Sequence, residues 1–226
     1  MKKFLKFFYT FLKKYIIAKS SINGLSTRLY MDYGKIDKSP KTHEDLSITL
    51  NKGVAVLENL GIQYSLGRGT LLGIHRDKSY TEGENDIDID IFDDKQIHTL
   101  INELPFQILL TTIASGKYQQ LVMIDPDTGV LFDIWFYSVI KNKYFNKHDQ
   151  GYFSLNKQKV HNLQKIKFEN IEYSCFDPDW YCEYWYGVNW KTPVKYSKTW
   201  IQFYKEDCAG FEYHPEDNPN YISFIK

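Results

Sequence analysis

Hydrophobic and polar residues alternate along this chain with two different periods. Between residues 42 and 60 the apolar side chains recur every three or four positions, as on one face of a helix, at Leu46, Leu50, Val54 and Leu57. Thr42 stands before this stretch as a capping residue, and Gly61 follows it as a stop signal. Between residues 86 and 92 aspartate and apolar residues alternate strictly, which is the period of a strand. The chain therefore combines helices with strands.

Further apolar runs and turn residues extend this pattern over the rest of the sequence. Strands are predicted at 62–66, 118–125, 130–137, 151–155 and 166–174, with turns at 125–129 and at Glu169-Asn170. Short helices are predicted at 69–76, from Asp93 or Asp94 to Asn102, and from Pro178 to Tyr186. The aromatic tail from about residue 195 is expected to be irregular. We therefore expect an α+β fold in which a small mixed β-sheet is flanked by helices.

The first 40 residues differ from the remainder and divide the chain into two regions. Residues 1–19 gather lysines around an aromatic stripe at helical spacing, which predicts a basic amphipathic helix, and residues 20–40 are expected to form a linker. Such a helix either lies on an anionic membrane surface or packs on the domain, and the lysine clusters beside bulky aromatic residues favour the membrane. Residues 41–226 form the predicted folded domain.

Composition narrows the classes of partner and compartment. The 28 Lys and Arg residues balance the 28 Asp and Glu residues, so no net charge favours nucleic acid. Three cysteines without metal-type spacing fit a reducing compartment better than a disulfide framework. No apolar stretch approaches the length of a membrane-spanning helix, and we expect a cytoplasmic protein, with peripheral contact at the cytoplasmic face of the membrane.

The acidic strand carries the clearest chemical signal. Successive side chains of a strand point to opposite faces, so Asp86, Asp88 and Asp90 share one face. Neighbouring carboxylates repel each other unless a cation lies between them, and Mg²⁺, with Mn²⁺ as an alternative, prefers such oxygen ligands. We predict that Asp86 and Asp88 bind this metal, whereas Asp90, one strand step further on, supports the site or lies at the surface.

A second aspartate-bearing strand can complete the metal site. Asp133 interrupts the apolar run Leu131-Phe132-Asp133-Ile134-Trp135. An isolated charge is costly to bury, so Asp133 either faces solvent or joins other charged groups. If the strand lies beside the acidic one, Asp133 faces Asp86 and Asp88, although a shift of one residue in register would reverse this.

A glycine-rich turn precedes the acidic strand and suits phosphate binding. Gly69 allows the backbone to approach a phosphate closely, and Thr70 offers a hydroxyl and an amide to its oxygens. Arg76 lies about one helical turn further on and could pair with the same phosphate. Glu84 adds a carboxylate in the loop before Asp86, as a substrate-binding group or a general base. The order of turn, helix and acidic strand is that of nucleotidyltransferase-type active sites.

These residues resemble the LicD/fukutin family. The segment Gly69-Thr70-Leu71-Leu72-Gly73-Ile74-His75-Arg76 is similar to that family's G-[ST]-L-L-G-x-x-R motif, and Glu84-Asn85-Asp86-Ile87-Asp88-Ile89 follows at the spacing of its D-D-D-I-D-I motif. The segment around Asp133 is similar to its later D-I-F strand, and residues 181–193 to its terminal Y-G-x-x-W motif. The resemblance covers roughly residues 45–195. The chain departs from the pattern at Thr81-Glu82-Gly83, where the family has Ile-Pro-Trp, and at Glu84 and Asn85.

The resemblance implies a LicD-like phosphotransferase with a nucleotidyltransferase-like catalytic domain at 41–226. Such an enzyme moves phosphocholine or a polyol phosphate from a CDP-linked donor to a hydroxyl of a cell-surface glycan, including a lipid-linked one, in polysaccharide or lipopolysaccharide biosynthesis. On this interpretation Asp86, Asp88 and Asp133 are catalytic and hold the metal, while Gly69, Thr70, Arg76 and Glu84 contact the donor. Tyr186 and Trp190 would stack on the base or the acceptor sugar.

Two other functions fit the same residues. The first is a nucleotidyltransferase that moves a nucleoside monophosphate to a small molecule, an RNA or a protein; it would release pyrophosphate rather than CMP. The second is a non-catalytic module that binds glycan or nucleotide. The retained pair Asp86 and Asp88 argues against the second function, because a metal site that had been abandoned has no reason to keep two repelling carboxylates.

Overall fold

The computed structural model describes residues 27–30, 37, 39–114, 117–140, 142–148, 151–194, 200–213 and 222–223. The predicted basic helix at 1–19 and most of the predicted linker lie outside these residues, so the helix, its membrane contact and the division at residue 40 stay predictions. No helix among the described residues is both long and apolar enough to cross a membrane.

Helices and strands are interspersed along the described chain. The strands are β1 (Thr27–Tyr30), β2 (Tyr64–Leu66), β3 (Asp86–Ile91), β4 (Gln107–Ala114), β5 (Lys117–Ile124), β6 (Leu131–Phe136), β7 (Ser138–Ile140), β8 (Lys143–His148), β9 (Gly151–Asn156), β10 (Gln164–Phe168), β11 (Ile171–Cys175), β12 (Phe211–Tyr213) and β13 (Ile222–Ser223). The α-helices are α1 (His43–Asn59), α2 (Arg68–Leu72), α3 (Ile97–Glu103), α4 (Lys157–His161), α5 (Pro178–Tyr186) and α6 (Trp200–Glu206). A π-helical turn (Gly73–Asp77) continues α2, and a 3₁₀ turn (Asp94–Gln96) precedes α3.

A mixed sheet forms the centre of the fold, and the α+β prediction is confirmed. Its described strands follow the order β10-β11-β2-β3-β6-β5-β4-β1-β13, so it is larger than the small sheet expected. The acidic strand β3 pairs parallel with β6 and antiparallel with β2. A second sheet has the order β12-β9-β8-β7.

Helix α1 covers one face of this sheet where strands β3 and β6 lie. The cap is formed as predicted, because Thr42 Oγ1 accepts a hydrogen bond from the Asp45 amide at 3.1 Å. The helix packs so closely on β6 that a Cβ at Gly53 would come within 2.3 Å of the Phe132 ring. Since Ile87 and Phe132 are register partners, the isoleucine face of β3 lies under α1 in the core. The aspartates of β3 therefore lie on the opposite face.

The other predicted elements are mostly present, but β1, β7, β8 and α4 were not predicted, and β1 falls in the stretch expected to be a linker. Helix α5 begins at Pro178 and ends before Gly187, and β10 and β11 form the hairpin around Glu169-Asn170, where both residues have positive φ. Strand β4 was not predicted. The tail was expected to be irregular, which is wrong for α6, because Phe203 and Tyr204 of this helix are buried in the core. A helix of seven residues carries too little periodicity to be recognised without that packing.

Candidate active site

Parallel pairing of β3 with β6 brings three carboxylates together. Asp88 and Asp133 are register partners, so their side chains leave the sheet on the same face. One oxygen from each of Asp86, Asp88 and Asp133 lies within 4.8 Å of the others. Asp88 and Asp133 are each only 8% exposed, whereas Asp86 is partly open to solvent. The predicted register is confirmed, and these three residues form what we call the carboxylate cluster.

The carboxylate cluster is electrostatically costly without a cation. Burial is the main cause that raises the pKa of Asp86, and repulsion from Asp88 and Glu84 adds to it. Burial likewise raises the pKa of Asp88, although the nearby Arg68 opposes the rise. Burial raises the pKa of Asp133 to about 7, again against Arg68. Three hard oxygen ligands that repel one another are a donor set that a divalent cation such as Mg²⁺ would stabilise.

Neighbouring donors fix the orientation of two cluster members. The Gln120 side-chain amide donates to both oxygens of Asp133, at 3.0 and 2.8 Å. The Trp135 indole N–H donates to Asp88 Oδ1 at 3.3 Å. Such hydrogen bonds behind the ligands hold carboxylates in one orientation and tune metal sites. Neither Gln120 nor Trp135 was among the predicted site residues, because their roles depend on sheet pairing.

The glycine-rich turn lies directly against the carboxylate cluster. The Gly67 amide donates to the Asp88 carbonyl at 3.0 Å, and the Asp88 amide donates to Thr70 Oγ1 at 2.9 Å. Thr70 is fully buried, so its hydroxyl ties the turn to β3. A Cβ at Gly69 would lie 2.8 Å from Glu84 Oε2 and 3.7 Å from Asp88 Oδ2. The turn backbone at Gly69 therefore lies so close to Glu84 that a side chain at this position would displace the glutamate.

Glu84 is drawn into the same site by its loop. The Thr81 hydroxyl donates to Glu84 Oε2 at 2.6 Å, and a hydrogen bond that protonated Asp86 donates to Glu84 contributes to the raised pKa of Asp86. The loop turns at Gly83, whose φ of +82° is readily adopted by glycine. The structure thus places the predicted residues Gly69, Thr70 and Glu84 beside the carboxylate cluster.

Arg76, Trp190 and Tyr186 lie together on one side of the turn. Arg76 donates from Nε and Nη2 to Asp77, at 2.8 Å each, and from Nη1 to the Trp190 carbonyl at 3.3 Å. Trp190 is 7% exposed and stacks on His75, with ring centroids 5.3 Å apart. Arg76 and Trp190 therefore have structural partners in this state. Tyr186 packs against the small apolar cluster that contains Trp190, and burial raises its pKa, with Asp88 and Glu84 as the next causes. Substrate contacts by these three residues stay predictions.

Arg68, like Gln120 and Trp135, was not among the residues predicted from the sequence. It is 7% exposed, and its Nη1 donates to Asp90 Oδ1 at 2.7 Å. Asp90 is fully buried and not at the surface, and it also accepts a hydrogen bond from the Tyr181 hydroxyl at 2.6 Å. The available signal was an arginine between two glycines immediately before a strand with three aspartates that lack a cationic partner.

Comparison with known proteins gives structural but no sequence matches. No protein-family profile and no curated protein matches the chain. Its structure is similar to that of the lincosamide antibiotic adenylyltransferase LnuA with lincomycin bound, at 13% identity and a TM-score of 0.44, over 61% of this chain and 82% of LnuA. It is also similar to the solution structure of the antibiotic-resistance factor ANT(2'')-Ia, at 13% identity, a TM-score of 0.40, and 73% and 83% coverage. The crystal structure of ANT(2'')-Ia with adenylyl-2''-tobramycin is similar at 13% identity and a TM-score of 0.39, over 73% of this chain and 87% of ANT(2'')-Ia.

The predicted membership of the LicD/fukutin family is wrong. No profile of any family matches, and the similar structures include those of LnuA and ANT(2'')-Ia. The predictions that depended on this membership are therefore wrong as well: a CDP-linked donor, a glycan acceptor, and a role in polysaccharide or lipopolysaccharide biosynthesis. The physical reason is that a glycine turn before alternating aspartates is a general arrangement for binding a metal and a phosphate, so it indicates the fold without specifying the donor. The departures at residues 81–85 lie in the segment that would have distinguished the family.

Proposed function

We propose that the protein is a metal-dependent nucleotidyltransferase that moves a nucleoside monophosphate from a nucleoside triphosphate to a hydroxyl of a small molecule. The observation that carries the proposal is the carboxylate cluster, with three ligand oxygens within 4.8 Å of one another. The glycine-rich turn lies against the same cluster, so a phosphate-binding backbone and a cation-binding group share one place.

Asp86, Asp88 and Asp133 fit Mg²⁺ or Mn²⁺, because all three offer carboxylate oxygens from one sheet face. When bound, the cation neutralises charge on the triphosphate and on the departing pyrophosphate. Gln120 and Trp135 hold Asp133 and Asp88 in place before the cation arrives. Their role is to reduce the reorganisation needed on binding.

The transfer itself needs positioning and one proton acceptor. The acceptor oxygen attacks the α-phosphorus and forms the new O–P bond, while the bond from this phosphorus to the β-phosphate oxygen breaks and pyrophosphate leaves with the electron pair. The hydroxyl proton passes to a carboxylate. Asp133, which reaches the carboxylate cluster from β6, is the carboxylate that we assign to this role. Gly69 lets the turn backbone lie against Glu84 and Asp88, so a phosphate bound at this turn would lie beside the cation.

Two features favour a small acceptor over a nucleic acid. Asp88 and Asp133 are almost wholly enclosed, so the reacting atoms of the acceptor must enter a recess in the sheet face. The chain carries no net positive charge, and a polyanion would therefore gain little from its surface as a whole. Sugars and other polyols with free hydroxyl groups are the acceptor class that meets both conditions.

The test is pyrophosphate release. The purified protein is incubated with Mg²⁺, each of the four nucleoside triphosphates, and pools of hydroxyl-bearing small molecules. We expect pyrophosphate that depends on an acceptor pool and disappears with EDTA. Asp88→Asn should abolish it, whereas Asp127→Asn, at a residue whose side chain is 77% exposed, should not. Equal release from the wild-type protein and Asp88→Asn, or none from any pool, would contradict the proposal.

A further inference from the structure

Arg68 lies in an unfavourable conformation that the surrounding residues enforce. Its φ of +38° falls in the left-handed region, which costs free energy in a residue with a Cβ. Its Nε and Nη2 are buried and have no hydrogen-bond partner among the described residues. An arginine held at such a cost is a candidate for a functional role, because a site chosen for stability alone would not retain it.

Two tryptophan rings and one carboxylate hold this guanidinium in place, and Tyr181 supports both that carboxylate and the Arg68 backbone. Its central carbon lies 3.7 Å from the centroid of the Trp135 ring and 4.4 Å from that of Trp185. Asp90 accepts from Nη1, and Tyr181 donates to the other Asp90 oxygen. The Tyr181 hydroxyl also accepts from the Arg68 amide at 3.3 Å. Helix α5 thus supports Arg68 through both Tyr181 and Trp185.

The Trp135 ring connects this support to the carboxylate cluster. One face of the ring packs on Arg68, and its N–H donates to Asp88 Oδ1 while also acting on Asp133, whose pKa it lowers. A ring that rotated away from the guanidinium would carry this donor away from Asp88. The position of Arg68 therefore determines whether Oδ1 is engaged with the indole, and so which Asp88 oxygen faces a cation.

We propose that Arg68 is a positioning residue for the metal site, which acts through Trp135 on the orientation of Asp88. The inference rests on the proposed function, since it requires that the carboxylate cluster bind a metal. Planar contact is central to it, because a flat guanidinium stacks on an indole face whereas a lysine ammonium does not. Arg68 itself touches neither the metal nor the substrate.

The experiment measures binding of Mn²⁺ alone, by electron paramagnetic resonance, to the full chain. Arg68→Met would leave the buried charge of Asp90 without its cation, so the variant to use is Arg68→Met combined with Asp90→Asn, which removes both charges and nearly keeps the side-chain volumes. Trp135→Phe keeps the stacked ring and removes the N–H. Lys52→Met is the matched control, because it removes a cation paired with the buried Asp125 at 3.0 Å, away from the carboxylate cluster. Circular dichroism verifies that each variant is folded.

The proposal predicts a non-additive pattern. The Arg68/Asp90 variant and Trp135→Phe should each weaken Mn²⁺ binding by roughly 10-fold, as loss of a group behind a metal ligand commonly does. Their combination should also lose roughly 10-fold rather than 100-fold, since both act on the same hydrogen bond. Lys52→Met should bind Mn²⁺ like the wild-type protein while unfolding at a lower temperature.

The outcomes separate this inference from the proposed function. Wild-type affinity in a folded Arg68/Asp90 variant, or losses that multiply in the combination, would overturn the role of Arg68 and leave the metal site standing. Absence of Mn²⁺ binding by the wild-type protein itself would overturn the metal site and the inference together.

Discussion

Asp88 on β3 and Asp133 on β6 lie directly opposite each other across two parallel strands, and both point away from helix α1. The pairing puts two buried carboxylates side by side in the middle of a sheet, with Asp86 at its partly open end. Like charges so placed destabilise the metal-free protein. The carboxylate cluster therefore lowers the free energy of unfolding of the metal-free protein, and a bound cation would restore it.

Neutralising Asp86 should increase the stability of the metal-free protein while it reduces transfer. Burial and three neighbouring carboxyl groups all raise the pKa of Asp86, so its charge is unfavourable in the folded state. We expect Asp86→Asn to increase the free energy of unfolding of the metal-free protein by about 1 kcal/mol and to reduce transfer roughly 100-fold or more. Urea unfolding in EDTA and pyrophosphate release measure the two effects. A variant that is less stable than the wild-type protein would contradict the electrostatic account.

Stability of the metal-free protein should fall as the pH rises. The pKa of Asp133 is about 7 in the folded state against an ordinary value of 3.8, so between these values the folded protein holds a proton that the unfolded chain has released. The stabilising contribution is complete below the lower value and is lost as the pH approaches 7, by up to about 1.4 kcal/mol per pH unit for one proton.

The check is thermal unfolding at pH 5 and pH 8 in EDTA. The wild-type protein should lose more stability between these two conditions than Asp133→Asn does, and Mg²⁺ should restore most of the difference at pH 8. An identical decrease in both proteins would show that Asp133 is not the group responsible.

Gly69→Ala should impair nucleotide binding while the fold persists. The added Cβ would come within 2.8 Å of Glu84 Oε2, which is the end of a flexible side chain and can move. The methyl group would then occupy the approach of the phosphate, so we expect KM for the nucleotide to rise about 10- to 100-fold.

Gly53→Ala is the contrasting variant. The added Cβ would meet the Phe132 ring at 2.3 Å in the core. The substitution should therefore lower the free energy of unfolding by about 1–3 kcal/mol and leave KM for the nucleotide unchanged. A Gly69→Ala protein with normal KM would count against a phosphate at this turn.

The hydroxyl of Thr70 should contribute to the stability of the fold. Thr70→Val keeps the shape but removes the acceptor of the Asp88 amide, and a buried amide left without a partner costs about 1–3 kcal/mol. Thr70→Ser keeps the oxygen and should recover most of this loss. Urea unfolding of the three proteins measures it. Equal stability of the valine and serine variants would mean that this hydrogen bond does not hold the turn to β3.

The sequence predicts the elements of this site better than the contacts between them. Alternation of Asp and Ile is a local pattern, and so is the spacing of Leu46 and Leu50, which is why β3 and α1 were foreseen. The position of Asp133 depended on register, which a shift of one residue would have reversed. The role of Arg68 depends on Tyr181, 113 residues away, so no local pattern reports it.

The donor was mispredicted for a related reason. Gly69, Thr70 and the aspartates describe how a phosphate and a metal can be held, and that requirement is common to enzymes with different donors. The residues that choose between donors are set by tertiary packing around the carboxylate cluster.

The position of the transferred phosphorus tests the central claim most directly. With an acceptor pool that supports turnover, the protein is given the nucleoside triphosphate labelled with ³²P at the α-phosphate, and in parallel at the γ-phosphate. Nucleotidyl transfer predicts that the α label appears in the acceptor product and that the γ label leaves as pyrophosphate, both only with Mg²⁺ and neither with Asp88→Asn. Transfer of the γ label to the acceptor, or α label in the product of the Asp88→Asn protein, would contradict the account.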